Sequence, residues 1–140
     1  MSDFSFFMKS NKKKKENERF AATKSIVDAD GNPVEWEFKH LTSKEVNEIR
    51  EQYTTSKISN GQYTTEINTN RFINALVAES AVYPDLRNAE LQDSYGVHTP
   101  EELVYELVDD PGEYTALTDF MQKFLGFSSD LDAKIDLAKN

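Results

Sequence analysis

The sequence predicts an α+β domain: a β-hairpin followed by a predominantly helical body of about four to six short helices. Three observations carry that prediction. Apolar and polar residues alternate from Val34 to His40, directly after an Asp-Gly-Asn-Pro turn cluster. From about residue 70 onward, apolar residues recur at helical spacing in separate stretches. Those stretches are divided by cap and breaker residues: Thr99-Pro100, Asp110-Pro111 and Gly126. The length of 140 residues suits one domain and is too short for two.

Taken in order, residues 1–17 read as an apolar and basic arm, and residues 18–140 as a single folded domain. Phe4, Phe6, Phe7 and Met8 lie ahead of Lys12-Lys13-Lys14-Lys15-Glu16-Asn17, a run with no apolar side chain that resists burial. The first hairpin is expected from residues 18–27 and 34–41, with Asp28-Ala29-Asp30-Gly31-Asn32-Pro33 as its turn. Thr42-Ser43-Lys44-Glu45 has capping-box spacing and opens a helix whose apolar face is Val46, Ile49 and Tyr53. Residues 53–67 carry Tyr-Thr-Thr twice around Asn60-Gly61, which fits either a second hairpin or a loop.

The helical part follows. Phe72, Ile73, Leu76 and Val77 form a stripe that ends before Pro84, and residues 88–95 form a short helix stopped by Gly96. Thr99-Pro100-Glu101-Glu102 starts a helix with Leu103, Val104, Leu107 and Val108 on its buried face. Asp110-Pro111-Gly112-Glu113 starts the next, with a stripe of Tyr114, Leu117, Phe120, Met121, Phe124 and Leu125. Gly126 ends it as a C-cap. A last helix is expected over residues 130–138, carrying Leu131 and Ile135.

Composition limits the chemistry. The chain has no cysteine, which removes disulfides, thiolate ligands and cysteine nucleophiles and fits a reducing compartment. Sixteen Lys and Arg against 25 Asp and Glu give a net charge of −9, unfavourable for binding a phosphate backbone. The first apolar run is too short to span a membrane and its lysines follow it, so neither a membrane segment nor a signal peptide is expected. His40 and His98 lack a partner at ligand spacing, and Asp28-Ala29-Asp30-Gly31 misplaces the glycine of a calcium loop. No phosphate-binding glycine loop or nucleophile elbow occurs. Catalytic residues, metal and cofactor are all expected to be none.

Two interaction surfaces remain. One is the arm, Phe4, Phe6, Phe7 and Met8, which should bury against this domain, a second copy or a partner. The other is acidic. Between Asn88 and Gln122 stand nine acids and no Lys or Arg. Several sit in first turns of helices, where they favour the helix dipole; Glu101, Glu102, Glu106, Asp109 and Asp110 form the candidate docking face for a basic or amphipathic partner.

The sequence resembles the XkdN-like tail assembly chaperones of contractile-tailed phages and of prophage-like elements in Gram-positive bacteria. The resemblance rests on Asp3-Phe4-Ser5-Phe6-Phe7, on Leu41-Thr42-Ser43-Lys44-Glu45-Val46-Asn47-Glu48-Ile49-Arg50 after the hairpin, and on Tyr83-Pro84-Asp85-Leu86-Arg87-Asn88-Ala89-Glu90-Leu91-Gln92-Asp93-Ser94-Tyr95-Gly96-Val97. Pro111-Gly112-Glu113-Tyr114 with Leu117, then Gly126-Phe127 and Ala138-Lys139-Asn140, complete it. The resemblance implies a non-enzymatic, cytoplasmic role in the bacterial host: binding the long, aggregation-prone tape-measure protein until tail-tube subunits replace the chaperone. It also implies a longer frameshifted form of the protein as a second partner; a homo-oligomer is the further expectation raised by the apolar arm. The alternative function is a structural tail or baseplate component that stays in the particle.

Overall fold

The computed structural model describes residues 3–127. The expected helix over 130–138 and the Ala138-Lys139-Asn140 segment lie outside the described residues. Within them the order is β1 (Glu18–Phe20), β2 (Trp36–Phe38), α1 (Ser43–Gln52), β3 (Thr54–Ser59), β4 (Gln62–Ile67), α2 (Thr69–Ser80), β5 (Ala81–Tyr83), α3 (Ala89–Ser94), α4 (Pro100–Leu107) and α5 (Pro111–Leu125). The fold is α+β, with strands at the N-terminal side of a helical body, as the residue pattern predicts.

The first hairpin exists with shorter strands than its alternation suggests. Glu18 pairs with Phe38 and Phe20 with Trp36, antiparallel. Between the strands the chain makes an excursion closed by the Val27–Pro33 bridge and by Asp28, whose Oδ1 accepts the Asp30 and Asn32 N–H groups. Alternation sets the facing correctly: Trp36 and Phe38 are buried while Glu35 and Lys39 are exposed. A third strand, β5, pairs with the other edge of β2 and gives the order β1-β2-β5.

That third strand corrects the expectation that residues from 70 to Pro84 are helical throughout. The helix stops at Ser80. Ala81-Val82-Tyr83 is too short for independent periodicity, and the residue before a proline is driven out of the α region. β2 supplies the unpaired backbone groups that make the extended form favourable.

The capping box of α1 is complete: Thr42 Oγ1 accepts the Glu45 N–H at 3.1 Å, and Glu45 Oε1 accepts the Thr42 N–H at 2.9 Å. Thr99 and Asp110 cap α4 and α5 by accepting the Glu102 and Glu113 N–H groups, without the reciprocal bond of the box, and each is followed by proline. Gly126 closes α5 at φ +84°, in the left-handed region that glycine enters without strain.

Helix α2 is the centre of the packing, with every side chain from Phe72 to Ala78 buried. One side, Val77 and Ala78, joins Trp36, Phe38, Leu86, Val97, Leu103, Val104, Leu107, Leu117 and Met121 in the main core. The other, Phe72, Ala75 and Leu76, packs on Val46 and Ile49 of α1. Helix α5 covers the sheet through aromatic contacts: Phe120 stacks on Phe20 with centroids 4.5 Å apart and meets Phe38 at 5.4 Å, and Phe124 meets His40 at 3.9 Å.

Candidate functional site

The segment 53–67, which the sequence leaves open between hairpin and loop, is a hairpin. Six consecutive pairs run from Thr54–Ile67 to Ser59–Gln62 without a bulge, and Asn60 and Gly61 both take positive φ in the turn. Its neck is tied by the Asn68 N–H donating to the Tyr53 carbonyl at 2.9 Å. Every residue of both strands is exposed. Side chains alternate across such a pair, so one face carries Thr54, Ser56, Ile58, Tyr63, Thr65 and Ile67. The opposite face is polar and holds the Lys57–Glu66 ion pair at 3.6 Å.

The arm is ordered locally and open to water. Residues Asp3–Phe7 and Lys9–Asn11 form two 3₁₀ turns, linked by the Met8 N–H to the Ser5 carbonyl and the Asn11 side chain to the same oxygen. Phe6 is 76% exposed, Phe7 85% and Met8 58%; Phe4 is also exposed. Residues 12–17 follow with exposed side chains and no helix or strand.

The five acids of the candidate docking face divide by role. Glu102 closes back on its own N-cap, accepting from the Thr99 hydroxyl at 3.1 Å. Asp110 caps α5 by accepting the Glu113 N–H at 2.9 Å. Glu106 and Asp109 are exposed, and Glu101 is half-buried. None of the three ion pairs among the described residues, Arg19–Glu37, Lys57–Glu66 and Arg87–Glu79, involves these five. Glu113, a neighbour outside that set, is structural: its carboxylate accepts from the Thr23 hydroxyl and from the Lys24 N–H, both at 2.8 Å, and so fastens α5 to the residues after β1.

Glu101 and Glu102 also border a cleft of about 250 Å³ at the foot of the second hairpin, with Tyr53, Arg71, Asn74, Thr99 and Tyr105. The Arg71 guanidinium lies 5.3 Å from the centroid of the Tyr53 ring. Burial raises the Tyr53 hydroxyl above its usual pKa and the Glu101 charge raises it further, while Arg71 pulls the other way. Behind the cleft Asn74, fully buried, donates to the Glu101 carbonyl at 2.7 Å and accepts from the Tyr114 hydroxyl at 3.1 Å. Burial, then the hydrogen bond and charge of Tyr105, hold the Tyr114 hydroxyl protonated far above the ordinary range.

Sequence reasoning found the arm and the acids but missed Asn74 and the amphipathic face of the second hairpin. Asn74 had one signal, a lone amide inside Phe72-Ile73-Asn74-Ala75-Leu76. Ile58 and Tyr63 had a weaker one, being flanked only by Ser, Thr, Lys and Gln. Among the described residues no group of three or more His, Asp or Glu could hold a metal ion, and no helix is long and apolar enough to cross a membrane.

A small sheet beside a helical body leaves two surfaces open, the arm and the second hairpin. The sequence profile described as "Phage XkdN-like tail assembly chaperone protein" matches residues 4–139, and the chain belongs to that family. It is similar to the uncharacterized protein YqbN of Bacillus subtilis strain 168, with 30% identity over 139 residues, 99% of this chain and 93% of that protein. The protein XkdN of the phage-like element PBSX of the same strain is 29% identical over 139 residues, 99% of this chain and 94% of its own length. The crystal structure of YqbN superposes with a TM-score of 0.77 at 28% identity, covering 91% of this chain and 98% of that one.

Proposed function

We propose that the chain is a non-catalytic chaperone of tail morphogenesis that holds the tape-measure protein in the bacterial cytoplasm before the tail tube assembles around it. The observation that carries this reading is the exposed aromatic arm. Phe6 and Phe7 leave most of their surface in water, which forfeits roughly 1.5–3 kcal/mol for each large side chain that a partner could bury. The acidic surface formed by Glu101, Glu102, Glu106, Asp109 and Asp110 supplies steering toward a basic or amphipathic partner.

Co-expression with the cognate tape-measure protein tests this. The full chain should keep that protein soluble and co-purify with it. Replacing Phe4, Phe6, Phe7 and Met8 together by Ser should weaken capture by roughly thirtyfold or more, since removing clustered aromatics from an interface commonly costs about 2 kcal/mol or more. Capture that is unaffected by the substitution, with the tape-measure protein equally soluble in the absence of this chain, would overturn the reading. Mass spectrometry of purified particles distinguishes the chaperone, absent from them, from a retained tail or baseplate component. A slippery heptamer near the codons for Lys139-Asn140, with an overlapping frame, would identify the longer form as the second partner.

A further inference from the structure

The cleft at the foot of the second hairpin has two unlike walls. On one, the Arg71 guanidinium lies over the Tyr53 ring, 5.3 Å from its centroid. The other is acidic and aromatic, formed by Glu101, Glu102 and Tyr105 at the start of α4. Arg71 takes part in none of the three ion pairs among the described residues, although both carboxylates share its cleft. Its charge still reaches across, since Arg71 and Glu101 act with opposite sign on the Tyr53 hydroxyl. Counted together, two carboxylates and one guanidinium leave the cleft with one net negative charge. The acidic wall is held from behind. The buried Asn74 amide donates to the Glu101 carbonyl and accepts from the Tyr114 hydroxyl. Tyr114 in turn stacks on Tyr105, centroids 5.2 Å apart, which covers one side of a ring that is still 45% exposed. Glu102 is fixed by the Thr99 hydroxyl.

We propose that this cleft receives one arginine side chain of the partner protein, its guanidinium lying against Tyr105 beside the Glu101 and Glu102 carboxylates. A planar cation suits the face of an aromatic ring, and its fork of donors suits a carboxylate, which favours arginine over lysine. A single arginine also supplies the one positive charge that Arg71, resting on Tyr53, leaves unbalanced. The volume of about 250 Å³ is below the roughly 300–1,000 Å³ of sites for drug-sized ligands and suits one side chain. The inference rests on the chaperone reading for the identity of the partner, the tape-measure protein. It adds a point of contact within the acidic face and the side chain that enters it.

Nuclear magnetic resonance titration of the isotope-labelled full chain with N-acetyl-arginine amide tests the proposal. The probe should cause saturable shifts in the amides of residues 99–105 and in the Tyr105 ring. N-acetyl-citrulline amide keeps the shape of the side chain without its charge and should cause none. Glu101→Gln and Glu102→Gln should each weaken the probe by about three- to fivefold, the scale of one partly exposed charge pair. Arg71→Gln should tighten it by a similar factor, because a like charge leaves the cleft. A gain of that kind cannot come from a variant that fails to fold.

Three results would overturn the proposal: no saturable shift at residues 99–105, equal binding of the citrulline probe, or weakening by Arg71→Gln together with tightening by Glu101→Gln, which would make the cleft an anion site. In co-expression, the Glu101→Gln, Glu102→Gln double variant should capture less tape-measure protein than wild type. Undiminished capture by that variant would remove the tape-measure protein as the occupant. The chaperone reading fails separately, when wild type binds the arginine probe but captures no tape-measure protein.

Discussion

The molecule contains two antiparallel hairpins with opposite surroundings. In β1–β2 the inward side chains of β2 are covered: Trp36 and Phe38 are almost wholly buried, β5 pairs with the second edge, and Phe120 of α5 stacks on Phe20. In β3–β4 the ladder is longer, six pairs against three, yet none of its residues is buried and no third strand is added among the described residues. Backbone pairing therefore does not distinguish the two. Cover does, and cover comes from elsewhere in the chain. A hairpin without cover is only marginally stable by its own contacts, and here its neck is held by α1 and α2. The covered hairpin supports the fold, whereas the uncovered one leaves Ile58, Tyr63 and Ile67 exposed.

The largest expected effect breaks the covered side. Trp36→Ala should cost about 3–5 kcal/mol, the range for removing a large buried aromatic, because Trp36 sits in the main core against Phe38 at a centroid distance of 6.1 Å. Chemical denaturation followed by far-ultraviolet circular dichroism would read it. A loss below about 1 kcal/mol would mean the sheet is not supported by this core.

The next effect belongs to the polar link between α2, α4 and α5. Asn74→Ala removes the side-chain donor to the Glu101 carbonyl and the Asn74 acceptor of the Tyr114 hydroxyl, which keeps its hydrogen bond with Tyr105; the loss of two buried hydrogen bonds costs about 1–3 kcal/mol in all. Denaturation midpoints should fall accordingly. An Asn74→Leu variant as stable as wild type would show that packing, not the hydrogen bonds, is what this position contributes.

How far the sequence foretold these features follows from how local each cause is. Caps are local, so Thr42, Thr99, Asp110 and Gly126 stand where the residue types place them. Helical stripes are local too: Leu103, Val104, Leu107 and Val108 are all buried. β5 was illegible, because Ala81-Val82-Tyr83 becomes a strand only through pairing with β2, more than forty residues earlier in the chain. The second hairpin was half legible: Asn60-Gly61 marked the turn, but Ser- and Thr-rich flanks give no alternation strong enough to choose strand over loop. The arm was legible as an apolar cluster, and its side chains Phe6, Phe7 and Met8 are exposed.

A smaller effect tests the start of α1, the helix that leads into the second hairpin. Thr42→Ala removes the hydroxyl that accepts the Glu45 N–H at the start of α1, a loss of about 1 kcal/mol. Glu45 also has a pH signature. The Thr42 N–H lowers its carboxyl pKa, burial opposes, and the Thr42 hydroxyl and Lys39 charge lower it again. A carboxyl depressed in the folded state stabilises above its unfolded value near 4.5 and loses that contribution as pH falls through the folded value. The gap in melting temperature between wild type and Glu45→Gln should therefore be widest above about pH 4.5 and close in stronger acid. A gap that stays constant across that window would mean that the charge on Glu45 plays no part.

The smallest expected effect is the sharpest test of the contrast. Ile58→Ala and Tyr63→Ala, measured in dilute solution, should change global stability by no more than about 0.5 kcal/mol, because neither side chain is buried. Hydrogen exchange adds the backbone view: amides of β3 and β4 should exchange well before those of β2, since solvent reaches both edges of their ladder. A partner that binds only the folded chain through this face would stabilise wild type by mass action and the two variants less, so the gap between them would widen as the partner's concentration rises. A stability loss of about 2 kcal/mol or more in the dilute monomer would place Ile58 and Tyr63 with Trp36 and Phe38 as supports of the fold. A loss that appears only as concentration rises assigns them to contact with another molecule.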